Sequence, residues 1–139
     1  MRLNNDVSLK RGDMKSIREM MDACKSWIKK DCSIALFPEG TRSENGEIQP
    51  FRDGAFRLSI DCNVPVVPIV IDGTFDILPK GSTTLNFKKH IKIRILPPVE
   101  PSLFDGSSGS MRTAVRDQMI ATLAELRNRK QISPALATK

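Results

Sequence analysis

Hydrophobic residues recur at helical spacing at the start of the chain. Between Met14 and Lys30, the side chains of Ile17, Met20, Met21, Cys24, Trp27 and Ile28 fall on one side of a helix. Asp13 is placed to cap its start, and Lys29-Lys30 sits at the carbonyl-rich end. The period then changes. Ser33-Ile34-Ala35-Leu36-Phe37 is a short, almost wholly apolar run, the pattern of a fully buried strand. A polar loop runs from Glu39 to Pro50. Gly54–Asp61 then carries Ala55, Phe56, Leu58 and Ile60 as a short helix ending near Asn63. Val66–Ile71 reads as a second buried strand, entered at Pro65 and disturbed at Pro68. Strand, helix and strand in that order predict a right-handed crossover and a parallel pair.

Downstream, Leu78-Pro79-Lys80-Gly81-Ser82 is turn chemistry. His90–Ile95 alternates strictly, which predicts a strand with one wet face carrying His90, Lys92 and Arg94 to solvent. Pro97-Pro98 and the Gly106–Ser110 run form a connector. A terminal helix from Met111 to Lys130 turns Val115, Met119, Leu123 and Leu126 inward, with Ser110 as its cap. The expected fold class is α/β, a mixed, largely parallel sheet flanked by helices. Residues 1–130 form part of a single domain and 131–139 a frayed tail.

Composition narrows the chemistry. A chain of 139 residues with 40% apolar and 27% charged residues can bury one ordinary core. The net charge of +6 admits nucleic acid, an anionic membrane or phosphorylated small molecules as partners. Tyrosine is absent and aromatics make up only 5%, so stacking platforms for single-stranded nucleic acid are hard to build. The basic residues are scattered, with small clusters at Lys29-Lys30, at Lys88-Lys89 and at Arg127, Arg129 and Lys130. That distribution speaks against a nucleic-acid arm and suits an enzyme of anionic substrates facing a membrane; a solvated surface is the plainer account of each cluster. Cys24, Cys32 and Cys62 show no metal-ligand spacing and read as reduced, mostly buried thiols of a cytosolic setting. No signal peptide and no apolar run of membrane-spanning length is present, so any membrane contact of these residues is expected to be peripheral.

The candidate chemistry lies where the first strand ends. Phe37-Pro38-Glu39-Gly40-Thr41-Arg42-Ser43 gathers a carboxylate, a permissive backbone position, two hydroxyls and a guanidinium at a strand's carboxyl end. In open α/β sheets ligands bind at that end, and an arginine fork suits a phosphate. The plainer reading is a polar strand exit in which Glu39 pairs with Arg42.

This run resembles the third block of the glycerolipid acyltransferases, the 1-acylglycerol-3-phosphate (lysophosphatidate) acyltransferase family. Val64-Pro65-Val66-Val67-Pro68-Ile69 is similar to a further block of that family, and Val7-Ser8-Leu9-Lys10-Arg11-Gly12-Asp13 to its second. Phe51-Arg52-Asp53-Gly54-Ala55-Phe56 resembles a segment that usually has lysine before the glycine, where this chain has Asp53. The resemblance covers roughly residues 5–100. The family's first block, His-x4-Asp, has no counterpart: the sole histidine is His90, and residue 95 is isoleucine.

The resemblance implies transfer of a fatty acyl group from acyl-CoA or acyl carrier protein to the free hydroxyl of lysophosphatidate, giving phosphatidate in phospholipid biosynthesis. It implies no metal or redox cofactor, because a thioester is already activated. Arg11 and Arg42 would hold the phosphate, and Glu39 would fix Arg42 and its loop. Arg52 would supply further basic character. Gly40 and Gly54 would allow close backbone approach, while Thr41 and Ser43 would bond the loop. The expected partners are a lysophospholipid, an acyl thioester and the cytoplasmic face of a membrane, without nucleic acid. No catalytic residue is assigned, because the His-x4-Asp block is absent, so the chain by itself is expected to be inactive or barely active. The rival reading is a non-catalytic module that binds phosphate or anionic lipid.

Overall fold

A computed structural model describes residues 14–78, 81 and 90–128. The elements are α1 (Met14–Ile28), α2 (Gly54–Cys62), β1 (Ile69–Asp72), α3 (Thr74–Ile77), β2 (Lys92–Ile95) and α4 (Ser108–Asn128), with a short 3-10 turn at Pro101–Phe104 before α4.

The helix α1 forms on its predicted stripe and buries Cys24. It stops at Ile28 because Asp31 turns left-handed (φ 57°), and Cys32 N–H and Asp31 N–H donate back to the Trp27 and Ile28 carbonyls. Lys25 Nζ then reaches Asp61 Oδ2 at 2.7 Å and ties α1 to α2. The helix α2 closes in the same manner at Asn63 (φ 50°) and buries Phe56 and Leu58. Phe56 stacks on Phe51 with ring centroids 6.1 Å apart, and Met111 and Val115 of α4 complete this cluster. A second cluster joins Val70 of β1 to Leu123 and Leu126. One side of α4 therefore spans the molecule, packing on α2 with its first turns and on the sheet with its last.

The sheet departs from expectation. Its two strands are antiparallel, with Ile69 opposite Ile95 and Ile71 opposite Ile93, and Val66 and Val99 form an isolated antiparallel bridge beyond them. No parallel pair forms among the described residues. Ser33–Phe37 joins no ladder there, and Phe37 is 83% exposed rather than buried. The reason is physical: an apolar run records a demand for cover, whereas a ladder also needs a partner in register, which the run itself does not specify.

The strand β2 also faces the opposite way from the prediction. Lys92 Nζ donates to the Leu126 carbonyl at 2.9 Å, and Arg94 Nη1 pairs with Glu125 at 2.8 Å, so both cations point to α4 while Ile93 and Ile95 face outward. The unpaired carbonyls at a helix C-terminus attract cations, and here they set the register. Finally, α4 begins at Ser108, before the expected Met111, and Ser107 Oγ rather than Ser110 accepts a first-turn N–H, that of Ser110, at 3.2 Å. Asp13, most of the turn around Gly81 and the 131–139 tail lie outside the described residues.

Candidate anion-binding site

The site begins with a tight turn. Gly40 N–H donates to the Phe37 carbonyl at 3.1 Å, and Gly40 holds φ 69°, a conformation glycine adopts without strain. The Arg52 side chain lies across it: a Cβ on Gly40 would fall 2.6 Å from Arg52 Nε. Arg52 N–H in turn donates to the Pro38 carbonyl at 2.8 Å, so both ends of the Glu39–Phe51 excursion are tied together.

Within that loop Glu39 does not pair with Arg42. Its Oε2 accepts the Gln49 backbone N–H at 2.9 Å. The Gln49 amide then donates to Asn45 Oδ1 at 3.2 Å and to the Glu47 carbonyl at 3.1 Å, and Ser43 Oγ donates to Asn45 Oδ1 at 3.0 Å. Glu39 and Ser43 thus bond the loop itself, and Glu39 does not fix Arg42 as the resemblance implies. Arg42 and Thr41 are exposed, and neither side chain bonds to any described residue. The Arg52 guanidinium is likewise without an ion pair there.

Two arginines on α4 hold this loop from outside, and a third, Arg112, holds Asp53 just beyond it. Arg116 donates from Nε to the Gln49 carbonyl at 3.1 Å and from Nη2 to the Ile48 carbonyl at 3.0 Å. Arg127 bonds the Gly46 carbonyl and Glu47 Oε1, both at 2.6 Å, and Asp72 Oδ1 at 3.2 Å. Arg112 Nη1 lies 3.5 Å from Asp53 Oδ1, and Ser108 Oγ donates to Asp53 Oδ2 at 2.8 Å. Partial burial alone would lower the Arg127 guanidinium, but its bonds to Glu47 and Asp72 outweigh that and raise it, so it stays charged.

Sequence reasoning missed these positioning side chains. Arg127 had looked like one member of a solvated basic cluster. The signal lay in spacing: residues four and fifteen positions beyond Arg112 return to one helix face. The same contacts explain Asp53, the departure from the family's lysine, as an anchor between the starts of α2 and α4.

The loop and the Asp72-Gly73-Thr74 segment do meet, since Arg127 bridges Glu47 and Asp72, and a Cβ on Gly46 would sit 3.4 Å from the Phe75 ring. Gly73 (φ 93°) is pressed against the residues leading into β2, where a Cβ would clash with the His90 carbonyl oxygen. At Gly54 a Cβ would meet nothing within 4 Å, so its closeness serves no protein contact in the structure. Arg11 lies outside the described residues. His90 is exposed.

The result is a braced turn presenting unpaired guanidinium groups to solvent, an arrangement suited to capturing an anion such as a phosphate ester. Among the described residues no group of His, Cys, Asp and Glu is arranged to hold a metal ion, and no helix is long and apolar enough to cross a membrane.

Comparison with known proteins defines the class. The acyltransferase family model matches residues 1–72. The chloroplastic 1-acyl-sn-glycerol-3-phosphate acyltransferase of Brassica napus is 36% identical over 113 residues, covering 81% of this chain and 33% of the relative. The alpha form of that enzyme from Mus musculus is 32% identical over 111 residues, covering 73% and 39%. Among solved structures, the 1-acyl-sn-glycerophosphate (LPA) acyltransferase of Thermotoga maritima superposes with a TM-score of 0.67 at 27% identity, covering 87% of this chain and 47% of that one. The chain belongs to the acyltransferase family, and its helices and small sheet share the fold of the Thermotoga maritima enzyme. It spans between a third and two-fifths of these curated relatives' length.

Proposed function

We propose that this chain carries the acceptor-binding part of a 1-acylglycerol-3-phosphate acyltransferase, with the Arg42 loop receiving the phosphate of lysophosphatidate. The observation that carries the reading is the contrast within the loop. Glu39, Ser43 and Gln49 are committed to its internal bonds, while Arg42 has no partner among the described residues. Arg52, lying over Gly40, adds a second cation, and Arg11 is the third candidate ligand. Thr41, Gly40 and Gly54 leave room for the glycerol phosphate to approach.

The acyl group would come from acyl-CoA or acyl carrier protein, whose thioester needs no resident cofactor. The acceptor hydroxyl would attack the thioester carbon, the C–S bond would break, and the hydroxyl proton would pass to a base. A positioned base contributes about 10²–10⁴ in rate. The sequence offers no His-x4-Asp pair to supply it. These residues would therefore bind acceptor at a peripheral membrane surface, the cytoplasmic face in this reading, and turn it over barely at all without the rest of a family domain.

A labelled acyl-CoA assay tests this, run on the chain alone and on a chimera in which it replaces the matched portion of the Thermotoga maritima enzyme. Phosphatidate should form only in the chimera, and Arg42→Ala should abolish it. Full turnover by the chain alone, or a chimera indifferent to Arg42→Ala, would overturn the reading.

A further inference from the structure

The loop that displays Arg42 also carries its own anions, Glu39, Glu44 and Glu47. It folds back on itself. Ser43 Oγ and the Glu47 backbone N–H both donate to Asn45 Oδ1, each at 3.0 Å, and the Gln49 amide donates to the Glu47 carbonyl at 3.1 Å. Glu47 is therefore anchored close to Ser43, the neighbour of Arg42. A Glu47 carboxylate left free there would lie within the combined reach of the two side chains, and a guanidinium with an unused fork would attract it.

No such pair forms. The Glu47 carboxylate turns instead to Arg127 Nη1 in the last turn of α4, at 2.6 Å. The same guanidinium donates from Nη2 to the Gly46 carbonyl and from Nε to Asp72 Oδ1, so all three of its nitrogens are engaged. Arg116 and Arg127 thus do different things to one loop. Arg116 bonds its backbone carbonyls, whereas Arg127 also neutralises its carboxylate. The other two acids are occupied as well: Glu39 accepts the Gln49 N–H, and Glu44 is engaged elsewhere.

We propose that Arg127 is a positioning residue that keeps Arg42 vacant for an anion, by holding the Glu47 carboxylate at α4 and away from the phosphate site. Without that hold, Glu47 would satisfy Arg42 from within the loop, and a phosphate ester would have to displace a tethered carboxylate before it could bind. The inference deepens the function proposed above and rests on it for the identity of the anion.

The test is a calorimetric titration of glycerol 3-phosphate into the chain, Arg127→Ala, Glu47→Gln and the double variant. Arg127→Ala should bind about two- to fivefold more weakly, the strength of an exposed ion pair. Glu47→Gln alone should bind as the parent does. Combined with Arg127→Ala it should restore the parent's affinity but not its melting temperature. A clasp that only holds shape predicts a double variant as weak as Arg127→Ala; that result overturns the inference, and so does parental affinity in Arg127→Ala itself. Asp72, only 14% exposed, loses its cation in Arg127→Ala. Should that variant not fold, Arg127→Lys takes its place, because a single ammonium serves Asp72 and releases Glu47. A second readout needs no ligand. Exchange of the Arg42 Nε–H with water, followed by NMR, should be slower in the folded arginine variant than in the parent or the double variant. Unchanged exchange overturns the inference even where glycerol 3-phosphate binds. Slowed exchange in a chain whose parent binds no glycerol 3-phosphate would keep the role of Arg127 and reject the function proposed above.

Discussion

The carboxylate of Glu39 accepts the backbone N–H of Gln49 at 2.9 Å, closing the loop that displays Arg42 without touching Arg42 itself. Fixing the loop and gripping a ligand are thus separate tasks assigned to neighbouring residues, and substitutions should separate them. Glu39→Ala leaves the partly buried Gln49 N–H without an acceptor, which costs about 1–3 kcal/mol. Amide exchange at Gln49 should accelerate markedly. Glu39→Gln retains an oxygen acceptor and should restore most of the protection.

Arg116 acts on the same loop from α4, through the Gln49 and Ile48 carbonyls. Arg116→Ala should lower stability by about 1–3 kcal/mol in urea denaturation and weaken binding of glycerol 3-phosphate. Lysine has no planar fork to serve two carbonyls, so Arg116→Lys should recover only part of either. An Arg116→Ala variant with unchanged amide exchange at Gln49 would remove this residue from the account.

Gly73→Ala tests the contact between the turn after β1 and the residues leading into β2. The backbone there has φ 93°, and the new methyl would clash with the His90 carbonyl oxygen. The conformation alone costs about 1–3 kcal/mol, and the clash adds to it. A clear fall in melting temperature is expected, whereas Gly54→Ala, with open space around it, should not lower it.

The thiols give a pH-dependent check. Burial, then the neighbouring Cys62, push Cys24 above its ordinary value of 9.0. The unfolded thiol therefore ionises first on raising pH. The stability linked to Cys24 is fully present below 9.0 and is lost as pH climbs from there through the folded value. At pH 8 iodoacetamide should modify exposed Cys32 well before buried Cys24. Equal rates would contradict the packing of α1.

Helix positions were legible in the sequence because a stripe such as Val115, Leu123 and Leu126 is a local record of one buried face. The anion loop was legible because Pro38, Gly40 and Arg42 have few other uses in that order. Strand pairing was not, because Ser33–Phe37 and Val66–Ile71 state only that each needs cover. The facing of β2 was misread for a related reason. Alternation names two faces but not which one is inside, and the Leu126 carbonyl and Glu125, distant in sequence, decided it. The bracing arginines of α4 were hidden because their acceptors are distant in sequence, and those of Arg116 are backbone carbonyls, which leave no trace in side-chain patterns.

The most direct measurement is a calorimetric titration of glycerol 3-phosphate into the chain and into its Arg42→Ala variant. Arg42 makes no bond to the described residues, so the variant should melt as the parent does. Loss of a charge-assisted bond, about 1.5–3 kcal/mol, should weaken binding roughly ten- to hundredfold. Equal affinity in two equally folded proteins would contradict the claim that this guanidinium holds the phosphate.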